Sequence, residues 1–257
     1  MTQPASLADW QPAANLLHER IILVTGAANG IGLAITKTMA RLGATVIMLD
    51  KDVHGMEQAY DEIVAAKHTE PALYPMDLQG ATPDDYTQLA ATLLQEFGRL
   101  DGLVHNAAML GALTPLANFN HELWLQTLQV NLHAPYLLTT ACLDLLKTSK
   151  DASILFTTDE TGRKGKAYWG AYGVSKAGLE GLMQTLADEL EGDDTIRINS
   201  IDPGPVLTSM FRIAYPGISS AELATPADVT TPFIYLCSRE SKGITGQQLS
   251  AQELLGS

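Results

Sequence analysis

Tyr172 and Lys176, in the run Tyr172-Gly173-Val174-Ser175-Lys176, stand four residues apart. On a helix that interval puts two side chains on one face, so a phenol and an ammonium group can project into the same pocket. A positive charge beside a phenol favours tyrosinate and draws its pKa down from about 10 toward neutrality. A group tuned in this way suits general acid/base work at a carbon that gains or loses hydride. Tyr-x-x-x-Lys also arises by chance as an exposed pair, so its weight depends on what precedes it in the chain.

What precedes it is Thr25-Gly26-Ala27-Ala28-Asn29-Gly30-Ile31-Gly32. Gly26, Gly30 and Gly32 let the backbone turn tightly and approach a pyrophosphate. Asn29 and Ile31 then lie where the following helix opens, with its free N–H groups and positive dipole end toward the phosphates. Asp50 comes 18 residues after Gly32, at the end of the second predicted strand, which is the ribose-reading position. A carboxylate there accepts hydrogen bonds from both ribose hydroxyls and repels a 2′-phosphate, so the expected cofactor is NAD in preference to NADP. Lys51 either offsets part of that repulsion or is a solvated surface lysine. Asp77 and Leu78, just past the third strand, are placed to meet an adenine ring, and Asn106 and Ala107 close the fourth strand beside the same crevice.

The elements that must hold these residues follow from hydrophobic patterning. Strands are expected at 21–24, 45–49, 72–76, 102–105, 153–157, 196–201 and 247–249. Helices are expected from the glycine turn through Leu42, then over 53–66, 83–97, 121–146, 171–190 and 227–237. Such alternation predicts a single Rossmann-type α/β domain over 21–257, after a lead-in over 1–20. Its doubly wound parallel sheet has the order 3-2-1-4-5-6-7, helices cover both faces, and the site lies at the carboxyl ends of the strands. The stretch 202–224, with Pro203, Pro205 and Pro216, has weak periodicity and is expected to be a substrate loop.

Composition excludes several functions. Sixteen Lys and Arg against 29 Asp and Glu leave a formal net charge of -13, which repels polyanions and argues against nucleic-acid binding. Cys142 and Cys237 are far apart and the histidines do not cluster, so neither a disulfide framework nor a metal site is expected. No run of about 18 apolar residues suggests a membrane span, and no apolar leader is visible, so a cytoplasmic location is expected. Arg163, Lys164 and Lys166 make a small basic patch, read either as a solvated loop or as a contact for an anionic substrate.

Taken together, these motifs resemble the short-chain dehydrogenase/reductase family over roughly 20–249. Trp169-Gly170-Ala171-Tyr172 and Ile21-Ile22-Leu23-Val24-Thr25-Gly26 suggest its bacterial YciK-like branch. The resemblance implies a pyrophosphate site at Gly26, Gly30 and Gly32, an adenine contact at Asp77, and an altered Asn-Asn-Ala-Gly motif in His105-Asn106-Ala107-Ala108. It further implies that Asn131 holds a water in a proton relay and that Lys176 binds the nicotinamide ribose while tuning Tyr172. Pro203, Gly204, Val206 and Thr208 would meet the nicotinamide amide. The implied activity is hydride transfer interconverting a small-molecule carbonyl and an alcohol, in a homodimer or homotetramer.

Asp159 departs from the family pattern. It stands 13 residues before Tyr172, where the family has a serine. A serine hydroxyl can donate to a substrate oxygen, whereas an ionised carboxylate cannot, and it opposes a developing alkoxide while raising the phenol's pKa. Asp159 could be protonated and act as a donor, Thr158 could take the serine's place after a local shift, or the substrate could differ. Loss of catalysis, leaving a nucleotide-binding pseudoenzyme or sensor, is the competing reading. Thr158-Asp159-Glu160 also resembles the acid/base triplet of nucleotide-sugar dehydratases, though the C-terminal substrate domain of those enzymes is missing.

Overall fold

The computed structural model describes residues 6–192 and 194–256. The first five residues of the lead-in and the last residue of the expected domain lie outside the described residues. Strand β1 (Ile21–Thr25) is buried along its whole length, as a β-branched run with no polar alternation must be when helices cover both faces of a parallel sheet. It leads through the glycine turn into α1 (Gly30–Arg41). Then follow β2 (Thr45–Asp50), α2 (Val53–Ala65), β3 (Ala72–Pro75), α3 (Pro83–Phe97) and β4 (Gly102–His105). The second half runs α4 (His121–Leu128), α5 (Ala134–Thr148), β5 (Ala152–Thr157), α6 (Glu160–Arg163), α7 (Gly170–Glu189), β6 (Ile196–Asp202), α8 (Ser209–Ala214), α9 (Thr230–Leu236), β7 (Gln248–Ser250) and α10 (Ala251–Leu255).

All seven strands form one parallel sheet in the expected order β3-β2-β1-β4-β5-β6-β7. Val24 pairs with both Met48 and Val104, so β1, β2 and β4 end level with one another and bring Gly26, Asp50 and Asn106 to a common edge. Alternate strand residues feed the two faces. Ile22, Val24, Val46 and Met48 pack with α1, α9 and α10, while Leu23, Ile47, Ile154 and Phe156 pack with α3, α5 and α7. The lead-in is not a free appendage, because Leu7 and Leu17 are buried in the first of these cores.

Some expected boundaries follow from local chemistry. Helix α3 starts after Thr82, whose hydroxyl and backbone N–H both donate to Asp85, with Pro83 in the first turn. It stops at Gly98, whose φ of 74° is left-handed. Other expectations need correction. The single helix over 121–146 is two helices joined by a π-helical segment, Gln129–His133, one extra residue per turn that the apolar pattern passes through unchanged. The helix expected over 227–237 begins only at Thr230. The stretch 202–224, expected as a substrate loop, contains α8 and closes on itself through a bridge between Val206 and Ala224.

Candidate active site

A cleft of about 760 Å³ opens along the carboxyl edge of the sheet. One half is built from the glycine turn. Gly26 and Gly30 have φ of 66° and 55°, values that favour glycine. A Cβ on Gly26 would sit 2.8 Å from the Ala107 Cα, and one on Gly32 would sit 2.1 Å from the Gly26 carbonyl oxygen and 2.6 Å from the Asn106 amide nitrogen. Backbone therefore packs on backbone here and leaves the space above the turn open. Asn29 precedes α1 without a side-chain cap, so the first N–H groups of a 12-residue helix keep their donor capacity for a ligand. This cradle fits the pyrophosphate of a dinucleotide.

The flanking residues brace the turn. Asn106 donates through Nδ2 to the Thr25 and Gly26 carbonyls, while the backbone N–H groups of Asn106 and Ala107 both donate to the Thr25 hydroxyl. Asp50 lies in the cleft wall, its carboxylate accepting from Ala28 N at 3.1 Å and from Asp52 N at 3.0 Å. Ile31, Asp77 and Leu78 also line the cleft, and Asp77 accepts from Gln79 N. Across from Gly30 stands Thr208, whose hydroxyl caps α8, and whose Cγ2 would lie 3.5 Å from a Cβ on Gly30. Pro203, Gly204 and Val206 complete that wall.

The other half holds the titratable groups. Tyr172 and Lys176 lie one turn apart on α7, both buried, with the Lys176 Nζ 5.5 Å from the phenol ring centroid and donating to the Thr157 carbonyl at 2.7 Å. The Tyr172 hydroxyl donates to Asp159 Oδ2 at 3.5 Å, a long contact. Asp159 Oδ1 accepts from the Thr161 backbone N–H at 2.8 Å and from its hydroxyl at 2.6 Å, so the carboxylate also caps α6. Gly162 is needed where α6 crosses α7, because a Cβ there would lie 2.7 Å from the Lys176 backbone carbonyl carbon. Asp202, at the end of β6, adds a second carboxylate and accepts from Gly204 N.

The electrostatics reverse one expectation. Burial pushes Tyr172 well above its usual range, and the charges of Asp159 and Asp202 and the hydrogen bond to Asp159 push it further. The lowering expected from Lys176 alone is outweighed. Lys176 is itself pushed down to about 8 by burial, against the upward pull of Asp159, Asp202 and Glu180. Asp202 is raised, chiefly by burial.

Three further placements bear on the sequence reading. Asn131 is fully buried in the π-helical segment rather than in the cleft wall. Its amide accepts from Met109 N and donates to the Met109 carbonyl and the Ser175 hydroxyl, so the side chain ties the segment after β4 to α7. Thr158 lines the cleft, and its hydroxyl is buried without a hydrogen-bond partner. The basic patch disperses. Arg163 pairs with Glu180 and donates to the Leu249 carbonyl, while Lys166 donates to the Tyr215 hydroxyl and lies over the Trp169 and Tyr215 rings.

Sequence reasoning did not single out Trp169, Met210, Phe211 and Tyr215 as site residues, yet they line the cleft beside Tyr172. Trp169 lies three residues before Tyr172, a spacing that places it on the same helical face. The other three, on and just after α8, fall within the stretch 202–224 expected as a substrate loop, although the sequence reading did not name them individually. Among the described residues there is no group of three or more His, Cys, Asp or Glu side chains able to hold a metal, and no helix long and apolar enough to cross a membrane.

The short chain dehydrogenase family matches residues 20–217. An Escherichia coli oxidoreductase, YciK, is 40% identical over 95% of this chain and 96% of its own length. A short chain dehydrogenase structure from Pseudomonas syringae superposes with a TM-score of 0.93 at 47% identity, covering 95% of this chain and 99% of that one. Another, from Shigella flexneri and complexed with NADP, gives a TM-score of 0.91 at 39% identity, covering 93% and 100%. The glycine cradle, the sheet order and the Tyr172–Lys176 pair thus occur in a chain whose likeness to these proteins runs nearly end to end, and it belongs to the short chain dehydrogenase family.

Proposed function

We propose that the chain is an oxidoreductase that interconverts a carbonyl and an alcohol, with Tyr172 as general acid/base. The observation that carries this reading is the placement of the Tyr172 hydroxyl and the buried Lys176 ammonium in one cleft with the Gly26–Gly32 cradle. A bound nicotinamide dinucleotide supplies or accepts the hydride. Tyr172 holds the proton that the substrate oxygen gains or loses. Lys176, fixed by the Thr157 carbonyl, provides a positive charge beside the phenol. Asn131 positions α7 through Ser175, whose hydroxyl also donates to the Tyr172 carbonyl. Trp169, Phe211 and Tyr215 exclude water from the substrate end.

The family uses NAD or NADP, and the Shigella flexneri relative is complexed with NADP. That neighbour does not favour NAD, so the preference proposed for this chain rests on Asp50 alone, which would meet a 2′-phosphate with like charge. An apolar groove formed by Leu125, Leu128, Leu132, Tyr136 and Leu182 supports assembly of copies into a homodimer or homotetramer, since Leu125 is 66% exposed. A cytoplasmic setting goes with this reading.

Two variants test the assignment. Tyr172→Phe should lower turnover by about 10²–10⁴-fold, the usual contribution of a positioned acid/base, with dinucleotide affinity retained. Asp159→Ser should raise ketone turnover by restoring a donor where a carboxylate opposes the alkoxide. Dinucleotide binding with no turnover in the wild-type chain, across a broad panel, would instead support the pseudoenzyme reading.

A further inference from the structure

Asp159 is the feature that the carbonyl reaction leaves unexplained. A substrate heteroatom bound between them can reach both the Tyr172 hydroxyl and Asp159, since the two groups are 3.5 Å apart. All three hydrogen bonds to Asp159 are donations to it, from the Thr161 N–H, the Thr161 hydroxyl and the Tyr172 hydroxyl. Asp159 is thus an acceptor in each of its contacts.

Lys176 and Lys166 act on its charge through space, but among the described residues no cation is hydrogen-bonded to it. Arg163 is committed to Glu180 and the Leu249 carbonyl, Lys176 to the Thr157 carbonyl, and Lys166 to the Tyr215 hydroxyl. Among the described residues, neither Asp159 nor Asp202 forms an ion pair. Glu160, exposed at the same rim, adds negative charge. The acid/base group therefore faces carboxylates rather than a neutral hydroxyl.

Two kinds of polar double bond respond oppositely to this field. A carbonyl that accepts hydride becomes an alkoxide, and carboxylates beside it raise the barrier. A protonated imine is a cation beforehand and a neutral amine afterwards. A carboxylate beside it keeps the proton on nitrogen, and so keeps the substrate in the form that accepts hydride readily. The adjoining wall is apolar and aromatic, with the Trp169 and Tyr215 ring centroids 5.7 Å apart and Lys166 already over both rings, which suits the apolar body of a ring-bearing substrate.

We propose that the preferred substrate is a ring-bearing iminium, so that the chain reduces a cyclic imine to a secondary amine or runs that step backward. The inference rests on the hydride-transfer reading above and specifies its substrate class. The balance closes without a further reactant. The neutral imine takes a proton from solvent, the iminium carbon gains a hydride from the reduced nicotinamide dinucleotide, and a C–H bond forms. The C=N π pair becomes the nitrogen lone pair, and the dinucleotide is oxidised by two electrons. Asp159 touches the reacting nitrogen throughout and is a catalytic residue in this scheme.

The test compares dihydroisoquinoline with tetralone, which share a bicyclic frame, using the purified chain and reduced dinucleotide. Wild type should favour the imine by at least tenfold in kcat/KM. Asp159→Asn, which keeps the oxygen that caps α6, should lose at least tenfold on the imine, and Asp159→Ser should shift the preference toward tetralone. Binding gives a second readout: with reduced dinucleotide present, tetrahydroisoquinoline as its ammonium should bind at least tenfold tighter than tetralol, and Asp159→Asn should abolish the difference. Wild type that prefers tetralone, turns over neither substrate while binding dinucleotide, or binds tetralol as tightly as the amine overturns the imine assignment and leaves the hydride-transfer reading standing. Failure of that parent reading is distinct: no dinucleotide binding in wild type, or tetralone reduction left unchanged by Tyr172→Phe.

Discussion

At the scale of single residues, the site is assembled at a cost to stability. Lys176 is 2% exposed, and burial brings its pKa down to about 8 from 10.5. Below pH 8 both folded and unfolded chains carry the proton, and the folded chain bears the full penalty of a buried charge. Between pH 8 and 10.5 the folded chain gives up its proton first, so stability is recovered as pH rises. The shift corresponds to about 3 kcal/mol, offset in a substitution by the lost hydrogen bond to Thr157. Lys176→Met should therefore be inactive yet more stable at pH 7 by roughly 1–2 kcal/mol, with the gap closing near pH 10. Urea melts at the two pH values check this, and a variant less stable at pH 7 would contradict it. The pairing of Tyr172 with Lys176 was legible because four residues make one helical turn. The net direction of the phenol's shift was not, because it is set first by burial, which only packing supplies, and then by Asp159 together with Asp202, 30 residues away in sequence.

At the scale of elements, local chemistry shows in the sequence where it is complete within a few residues. Thr82-Pro83 with Asp85 and Gly98 marks both ends of α3, and Gly26, Gly30 and Gly32 mark the entry to α1. The π-helical turn that holds Asn131 is different. Apolar residues continue across it in register, and what secures it is the pairing of Asn131 with Met109, which no local pattern announces. Arg163 shows the same limit, since a basic residue in a short connection looks solvated until its partner Glu180 arrives on α7. Glycines divide in the same way. A Cβ on Gly32 has no room because the backbone of Gly26 occupies its place, whereas a Cβ on Gly181 in α7 meets nothing within 4 Å. Gly181→Ala should stabilise the chain by about 0.5–1 kcal/mol through helix propensity, with dinucleotide affinity unchanged. Gly32→Ala should abolish dinucleotide binding. Thermal melts and fluorescence titration with reduced dinucleotide separate the pair, and a Gly32→Ala variant that binds normally would show that the cradle is misassigned.

Across the whole molecule, the two ends of the sheet perform different work. The carboxyl edge collects the cleft, with the buried lysine and with Asp159 and Asp202, which form no ion pair among the described residues. The amino edge collects a closed ionic network in which Asp151, just before β5, accepts from Arg20 at the start of β1 and from Arg197 in β6. Arg20 also donates to the Asp101 and Asp151 carbonyls, and Arg197 donates to the Ser238 carbonyl and the Ser241 hydroxyl, so both guanidiniums are engaged on several sides. Burial alone would push Asp151 up, but the charges and hydrogen bonds of Arg197 and Arg20 outweigh it and hold the carboxyl below its usual range. Asp151→Asn leaves two buried guanidiniums short of a counter-charge and should cost about 3–5 kcal/mol. Because the lesion lies at the edge opposite the cleft, turnover per folded molecule should stay at the wild-type value. The folded-state pKa is depressed, so this contribution is complete above the unfolded value near 3.8 and is lost as pH falls below it. The stability gap between wild type and Asp151→Asn should therefore be wide at pH 7 and narrow progressively below pH 4, as denaturant melts across that range would show. A gap that stays constant into acid would mean that the carboxylate's charge contributes nothing, and a fall in turnover per folded molecule would mean that the two edges are coupled.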